Sequence, residues 1–94
     1  MNPRQLGQRV IEKLSEKREL LGNYQFHVVQ DGVFQDEGDL WHVVISPNRR
    51  IERRGQVYDV LNDVEEEIEA EHSINVMIVP VKPEQENSAS IGAS

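Results

Sequence analysis

The chain has 94 residues, no cysteine and a net charge of −7 at neutral pH. This length supports one modest hydrophobic core but no large enclosed active-site cavity. The lack of cysteine excludes disulfides and cysteine-ligated metal, and the negative charge disfavours general binding to DNA or RNA. No apolar run approaches the roughly 20 residues of a membrane span, and the N-terminus lacks the apolar segment of a signal peptide. We therefore expect a cytoplasmic protein without a membrane partner.

The N-terminal segment predicts an amphipathic helix that begins after Asn2 and stops at Gly22. Asn2 can cap the helix, Pro3 suits its first turn, and Gln5 has the spacing of a capping box. Glycine readily takes the left-handed conformation that ends helices. The apolar stripe comprises Leu6, Val10, Leu14 and Leu21. The basic, exposed side comprises Arg4, Arg9, Lys13, Lys17 and Arg18.

Two strands follow, at residues 24–30 and 40–46, where β-branched and aromatic residues are enriched. The intervening sequence DGVFQDEGD contains two turn signals. Val33 and Phe34 either continue the first strand past a bulge or belong to a loop. We favour a long, bulged hairpin.

Residues 55–81 predict a second amphipathic helix that leads directly into a third strand. Its apolar stripe comprises Val57, Val60, Leu61, Val64 and Ile68. The strand at 74–81 is apolar on both faces, which is unusual for a strand with one face in water. Pro80 lacks an amide hydrogen, so regular pairing should stop there or the strand should lie at an edge.

The second helix carries its charges against the helix macrodipole. Four arginines precede it, and residues 55–81 contain seven acids and no lysine or arginine. Glu65/Glu69 and Glu67/Glu71 are also like-charge pairs at i,i+4, a spacing that mildly destabilises a helix. The simpler interpretation is that the basic side of the first helix neutralises these acids. The alternative is a surface for a protein partner that is basic.

The order of elements predicts an α+β fold, an α-β-β-α-β two-layer sandwich. Its three-stranded sheet would have two helices packed on one face, in a single domain spanning residues 1–81. Residues 82–94 form a polar tail that we expect to be disordered. The order of elements resembles that of KH-like small domains, although the sequence has no GXXG loop.

The face of the sheet away from the helices is expected to be more apolar than a monomer usually leaves in water. It should present Val29, Leu40, His42, Val44, Met77 and Val79. We interpret these residues as an interface, and two-fold self-association is its commonest form. The sequence therefore predicts a homodimer that acts as an interaction or regulatory module.

No arrangement of residues predicts catalysis, a cofactor or a metal site, so we expect a non-enzymatic protein. The sequence has no GxSxG, GxGxxG or HExxH motif. The alternation of the two strands predicts that His27 and His42 lie on the same face of the sheet, where they could approach each other. The one candidate for ligand binding is the loop before the second helix, whose guanidinium groups suit phosphate or carboxylate. The alternative function is therefore an anion-binding, phosphate-binding or nucleic-acid-binding domain that uses this loop. These anion-binding candidates are Arg49, Arg50, Arg53 and Arg54.

Overall fold

The computed structural model describes residues 2–22 and 24–83 and confirms the α+β fold class. The elements are α1 (Pro3–Glu16), α2 (Arg18–Leu21), β1 (Phe26–Gln35), β2 (Leu40–Pro47), α3 (Arg54–His72) and β3 (Asn75–Pro80). The predicted disordered tail, residues 82–94, lies outside the described residues apart from Lys82 and Pro83. No helix in the described ranges is long and apolar enough to cross a membrane.

The first helix begins as its sequence indicates but is divided near its end. The amide of Gln5 donates to the Asn2 side chain at 2.8 Å, and the Asn2 amide donates to the Gln5 side chain at 3.2 Å. The predicted single helix breaks at Lys17, whose backbone leaves the helical region, and the short α2 follows. Gly22 ends it with a φ of 65°. Asn23, the other half of the predicted stop signal, lies outside the described residues.

The sheet has the order β1-β2-β3, with β1 antiparallel and β3 parallel to β2. The predicted bulged hairpin is confirmed. Val28 pairs with Ile45 and Val33 pairs with Val43, so residues 29–32 lie against the single residue Val44. Gly32 fits there because a Cβ at this position would lie only 2.7 Å from the Val29 carbonyl oxygen and 3.0 Å from that of Val44.

Both long helices pack on the same face of the sheet. α1 contacts β1, α3 contacts β3, and the two helices contact each other. Gly7 allows the close approach of α1, since a Cβ there would lie 3.3–3.4 Å from methyl groups of Val33 and Val28. The core is formed by Leu6, Val10, Leu14, Leu21, Tyr24, Val43, Ile45, Val57, Val60, Leu61, Val64, Ile68, Val76 and Ile78. The opposite face of the sheet has no helix over it within the described part of the chain.

Candidate functional site

The sheet face opposite the helices presents several apolar side chains together with His42. His42 pairs with Met77 and Val44 with Val79, so these four residues share this face, which we call the open face. The register also places Leu40 there, opposite Asn75. Val29 is the first residue of the bulge, has no partner in the β1–β2 register and is half-buried. The register thus places five of the six predicted interface candidates together on one surface.

Phe34 extends the open face beyond the predicted set. It pairs with His42 across the hairpin, and 47% of its surface is exposed. The two rings stack with centroids 4.7 Å apart and an angle of 7° between their planes. Sequence parity alone could not place Phe34, because the side on which it emerges depends on the number of residues in the bulge.

A turn at one end of the open face holds His42 in place. Asp36 Oδ2 lies 2.8 Å from His42 Nε2, and Asp36 Oδ1 accepts the amides of Gly38 and Leu40 at 2.8 and 3.1 Å. The hydrogen bond with His42, followed by those from the two amides, lowers the pKa of Asp36 below its ordinary value. The Asp36 carboxylate therefore fixes the ring that lies beside Phe34.

The structure does not bring His27 and His42 together. His27 pairs with Ser46, four residues along β2 from His42, because the bulge shifts the register between them. Among the described residues, no group of three or more histidine, cysteine or acidic side chains could hold a metal ion.

The arginine loop is divided by the structure into two pairs on different sides. The Arg49 guanidinium carbon lies 4.3 Å above the centre of the Tyr24 ring, and Arg53 lines the same small cleft. The Tyr24 hydroxyl accepts the amide of Glu52 at 2.8 Å. This pair of arginines therefore lies against a residue that fixes the loop.

Arg50 and Arg54 line a separate cleft of about 620 Å³ together with Lys82 and Tyr58. The cleft lies at the start of α3, where no side chain caps the helix and no acid stands in the first turn. Within the described ranges, neither arginine nor Lys82 forms an ion pair with an acid. Two cations from the loop thus line the same cleft as a third, Lys82, which follows β3. Sequence reasoning missed Lys82 and Tyr58, since only the parallel pairing of β3 brings Lys82 to this place.

One side of α3 is neutralised by α1, as the simpler interpretation predicts. Lys13 Nζ lies 2.8 Å from Glu71 and 3.3 Å from Glu67, and Lys17 Nζ lies 2.9 Å from Glu67. Arg9 also reaches Glu71 at 3.2 Å. The hydrogen bond from Lys13 lowers the pKa of Glu71, and that from Lys17 lowers the pKa of Glu67. Glu67 and Glu71 are therefore already paired with basic side chains of the same domain.

The other side of α3 reaches over the edge of the sheet. Glu69 Oε2 accepts the amide of Val76 at 3.0 Å, and Glu65 Oε2 accepts the amide of Ile78 at 2.6 Å. Burial raises the pKa of Glu65, although the bond from the Ile78 amide acts in the opposite direction. The sequence showed these glutamates only as a like-charge pair. Their partners are backbone amides, which no side-chain pattern reveals.

The comparisons with known proteins give no match: no family model, curated protein or solved structure matches this chain. The proposals below therefore depend on the geometry of the open face, the clefts and the sheet edge.

Proposed function

We propose that this chain is a non-enzymatic interaction or regulatory domain that homodimerises through the open face of its sheet. The observation that supports the proposal is the face itself, which is apolar and has no helix over it within the described ranges. Met77 and Phe34 are exposed at its centre and end, at 39% and 47% of their surface. Removing such apolar side chains from water is the main favourable contribution to most protein–protein association.

The charge distribution favours a second copy over a charged partner on this face. On this face His42 is titratable, and it already bonds to Asp36 in the adjoining turn. The acids of α3 that pair with α1 or with the β3 edge lie on the helical side of the sheet. Two copies, each with a charge of −7, could therefore pack face to face without bringing their main acidic surfaces into contact.

The size of the face predicts a reversible dimer. Three strands of six to ten residues give a surface of roughly 15 by 20–25 Å, or about 300–400 Å² in projection. A stable interface usually buries about 800 Å² on each partner. Because side chains project from the sheet, the surface area buried by a dimer would exceed this projected area. It would still be small for a specific interface. We therefore expect a dimer that dissociates on dilution.

The decisive measurement is the absolute mass in solution, by light scattering on a gel-filtration peak at two salt concentrations. We expect a dimer that persists at the higher salt, because apolar contacts are not screened and the repulsion between acidic copies is reduced. The Val44→Asp/Val79→Asp variant should be a folded monomer, since each interface would bury four new carboxylates.

Leu20→Asp/Tyr58→Asp is the matched control for this experiment. Both residues are exposed and apolar, and both lie away from the open face on helices. The control adds the same charge and should leave the dimer intact. A wild-type monomer at every concentration, or an unchanged mass for Val44→Asp/Val79→Asp, would contradict dimerisation through this face.

We propose anion binding at the cleft of Arg50, Arg54 and Lys82 as a second candidate function. The observation that favours it is the convergence of three cations, without described acidic partners, on the uncapped start of α3. A phosphate group is the ligand chemistry that suits this arrangement. The overall negative charge of the chain makes an extended nucleic acid the less favourable source of that phosphate.

Two double variants with equal changes in charge test this second function. Inorganic pyrophosphate serves as the probe, with binding followed by amide chemical shifts at low salt. Arg50→Ala/Arg54→Ala should weaken binding at least roughly tenfold, the loss expected for a charge-assisted hydrogen bond. Arg49→Ala/Arg53→Ala should change it much less, because Arg49 lies over Tyr24. No binding by the wild type, or equal losses in both variants, would exclude the cleft.

A further inference from the structure

β3 forms one edge of the sheet, because only β2 pairs with it among the described strands. Successive residues of a strand direct their amides to opposite edges. The amide of Val81 donates to the Ile45 carbonyl on β2 at 2.9 Å, so the odd-numbered residues of β3 face β2. The outward positions are therefore Val76, Ile78 and Pro80.

None of these three outward positions offers a free amide hydrogen. Val76 donates to Glu69 and Ile78 donates to Glu65, as described above. Pro80 has no amide hydrogen at all. The donors that another strand would need along this edge are thus all occupied or missing.

The repeat distances along α3 and β3 are nearly equal at these positions, which explains how two glutamates can bind two outward amides of β3. Four residues of an α-helix rise about 6 Å, and two residues of a strand rise about 6.6 Å. Glu65 and Glu69 therefore repeat along α3 at nearly the interval at which outward amides repeat along β3. Their spacing, unfavourable for charge within the helix, is the spacing that this edge requires.

We propose that Glu65 and Glu69 close the β3 edge against strand addition by a second copy of this chain. An unprotected edge strand pairs readily with another, and natural proteins block such edges with charged side chains or proline. Here the carboxylates take the place of the carbonyl oxygens of an incoming strand. At the opposite edge of the sheet, the bulge at residues 29–32 interrupts the regular pairing of β1. This inference does not depend on dimerisation through the open face.

Amide hydrogen exchange of the full chain tests the closure one residue at a time. Glu69→Ala should accelerate exchange at Val76 roughly tenfold or more and leave Ile78 protected, because a bond to a charged acceptor contributes at least that factor. Glu65→Ala should have the reverse pattern. Unchanged exchange at the corresponding amide in both variants would overturn the proposal.

Self-association tests the consequence of opening the edge. Glu65→Ala/Glu69→Ala should form species larger than the wild type as concentration rises, while Glu65→Gln/Glu69→Gln should not, since a glutamine oxygen still accepts the amide. Asp63→Ala/Glu66→Ala removes the same charge from exposed positions of α3 and should also match the wild type. Equal masses for all three variants, or association in the control, would contradict edge closure, whatever the wild type does through its open face.

Discussion

We expect Gly32→Ala to lower the free energy of unfolding by about 1–3 kcal/mol, the usual cost of forcing extra volume into a packed site. A Cβ at Gly32 would lie 2.7 Å from the Val29 carbonyl oxygen and 3.0 Å from that of Val44. Both are backbone atoms, so the clash cannot be relieved by rotating a side chain. The backbone of the bulge in β1 must rearrange, and β1 must also move away from Val44 on β2. Urea unfolding followed by circular dichroism would measure the change.

Gly7→Ala provides the control, because it makes the same substitution at another buried glycine. Its Cβ would meet only methyl groups of Val33 and Val28, at 3.3–3.4 Å. Alanine is favoured over glycine within a helix by about 0.5–1 kcal/mol, which offsets this mild crowding. We expect a free energy of unfolding close to that of the wild type. Equal destabilisation by the two substitutions would show that the close backbone approach at Gly32 is not the cause.

The sequence was sufficient for the fold because its strongest patterns are local. Asn2 and Gln5 fix the start of α1 through bonds within one turn. The stripe through Leu61 and Ile68 identifies the buried side of α3, and all of its predicted members are buried. The two-sided apolar character of β3 indicated the presence of an uncovered face.

The sequence could not give features that depend on distant backbone. The bulge determines that Phe34 joins the open face and that His27 does not meet His42. The four loop arginines are close together in sequence, but in space they line two different clefts.

The contacts of the acidic residues of α3 also could not be predicted from the sequence of the helix alone. Two like-charge pairs looked unfavourable in isolation, yet each pair lies on a different flank of the apolar stripe. Glu67 and Glu71 meet Lys13, while Glu65 and Glu69 meet the amides of β3. The like-charge spacing is slightly unfavourable within the helix, but the same glutamates form favourable contacts with α1 on one side and with β3 on the other. A basic partner for α3 would have only the remaining exposed acids, such as Asp59 and Asp63, to contact.

Val43→Asp is expected to abolish the folded state at neutral pH. The Val43 side chain is fully buried between the sheet and the helices. An unpaired carboxylate placed there loses its hydration, and the cost of several kcal/mol is comparable with the roughly 5–15 kcal/mol that stabilises a whole domain. Circular dichroism at low temperature should show loss of helix signal and no cooperative unfolding transition.

Val44→Asp makes the identical change one residue further along β2, where the side chain emerges on the open face. Water can reach that carboxylate in the monomer, so the variant should keep a cooperative transition and lose only self-association. If Val44→Asp unfolded as completely as Val43→Asp, the open face would have to be part of the core of the isolated chain. If both variants folded, β2 would not separate a helix-covered face from an exposed one, and the proposed dimer interface would lose its structural basis.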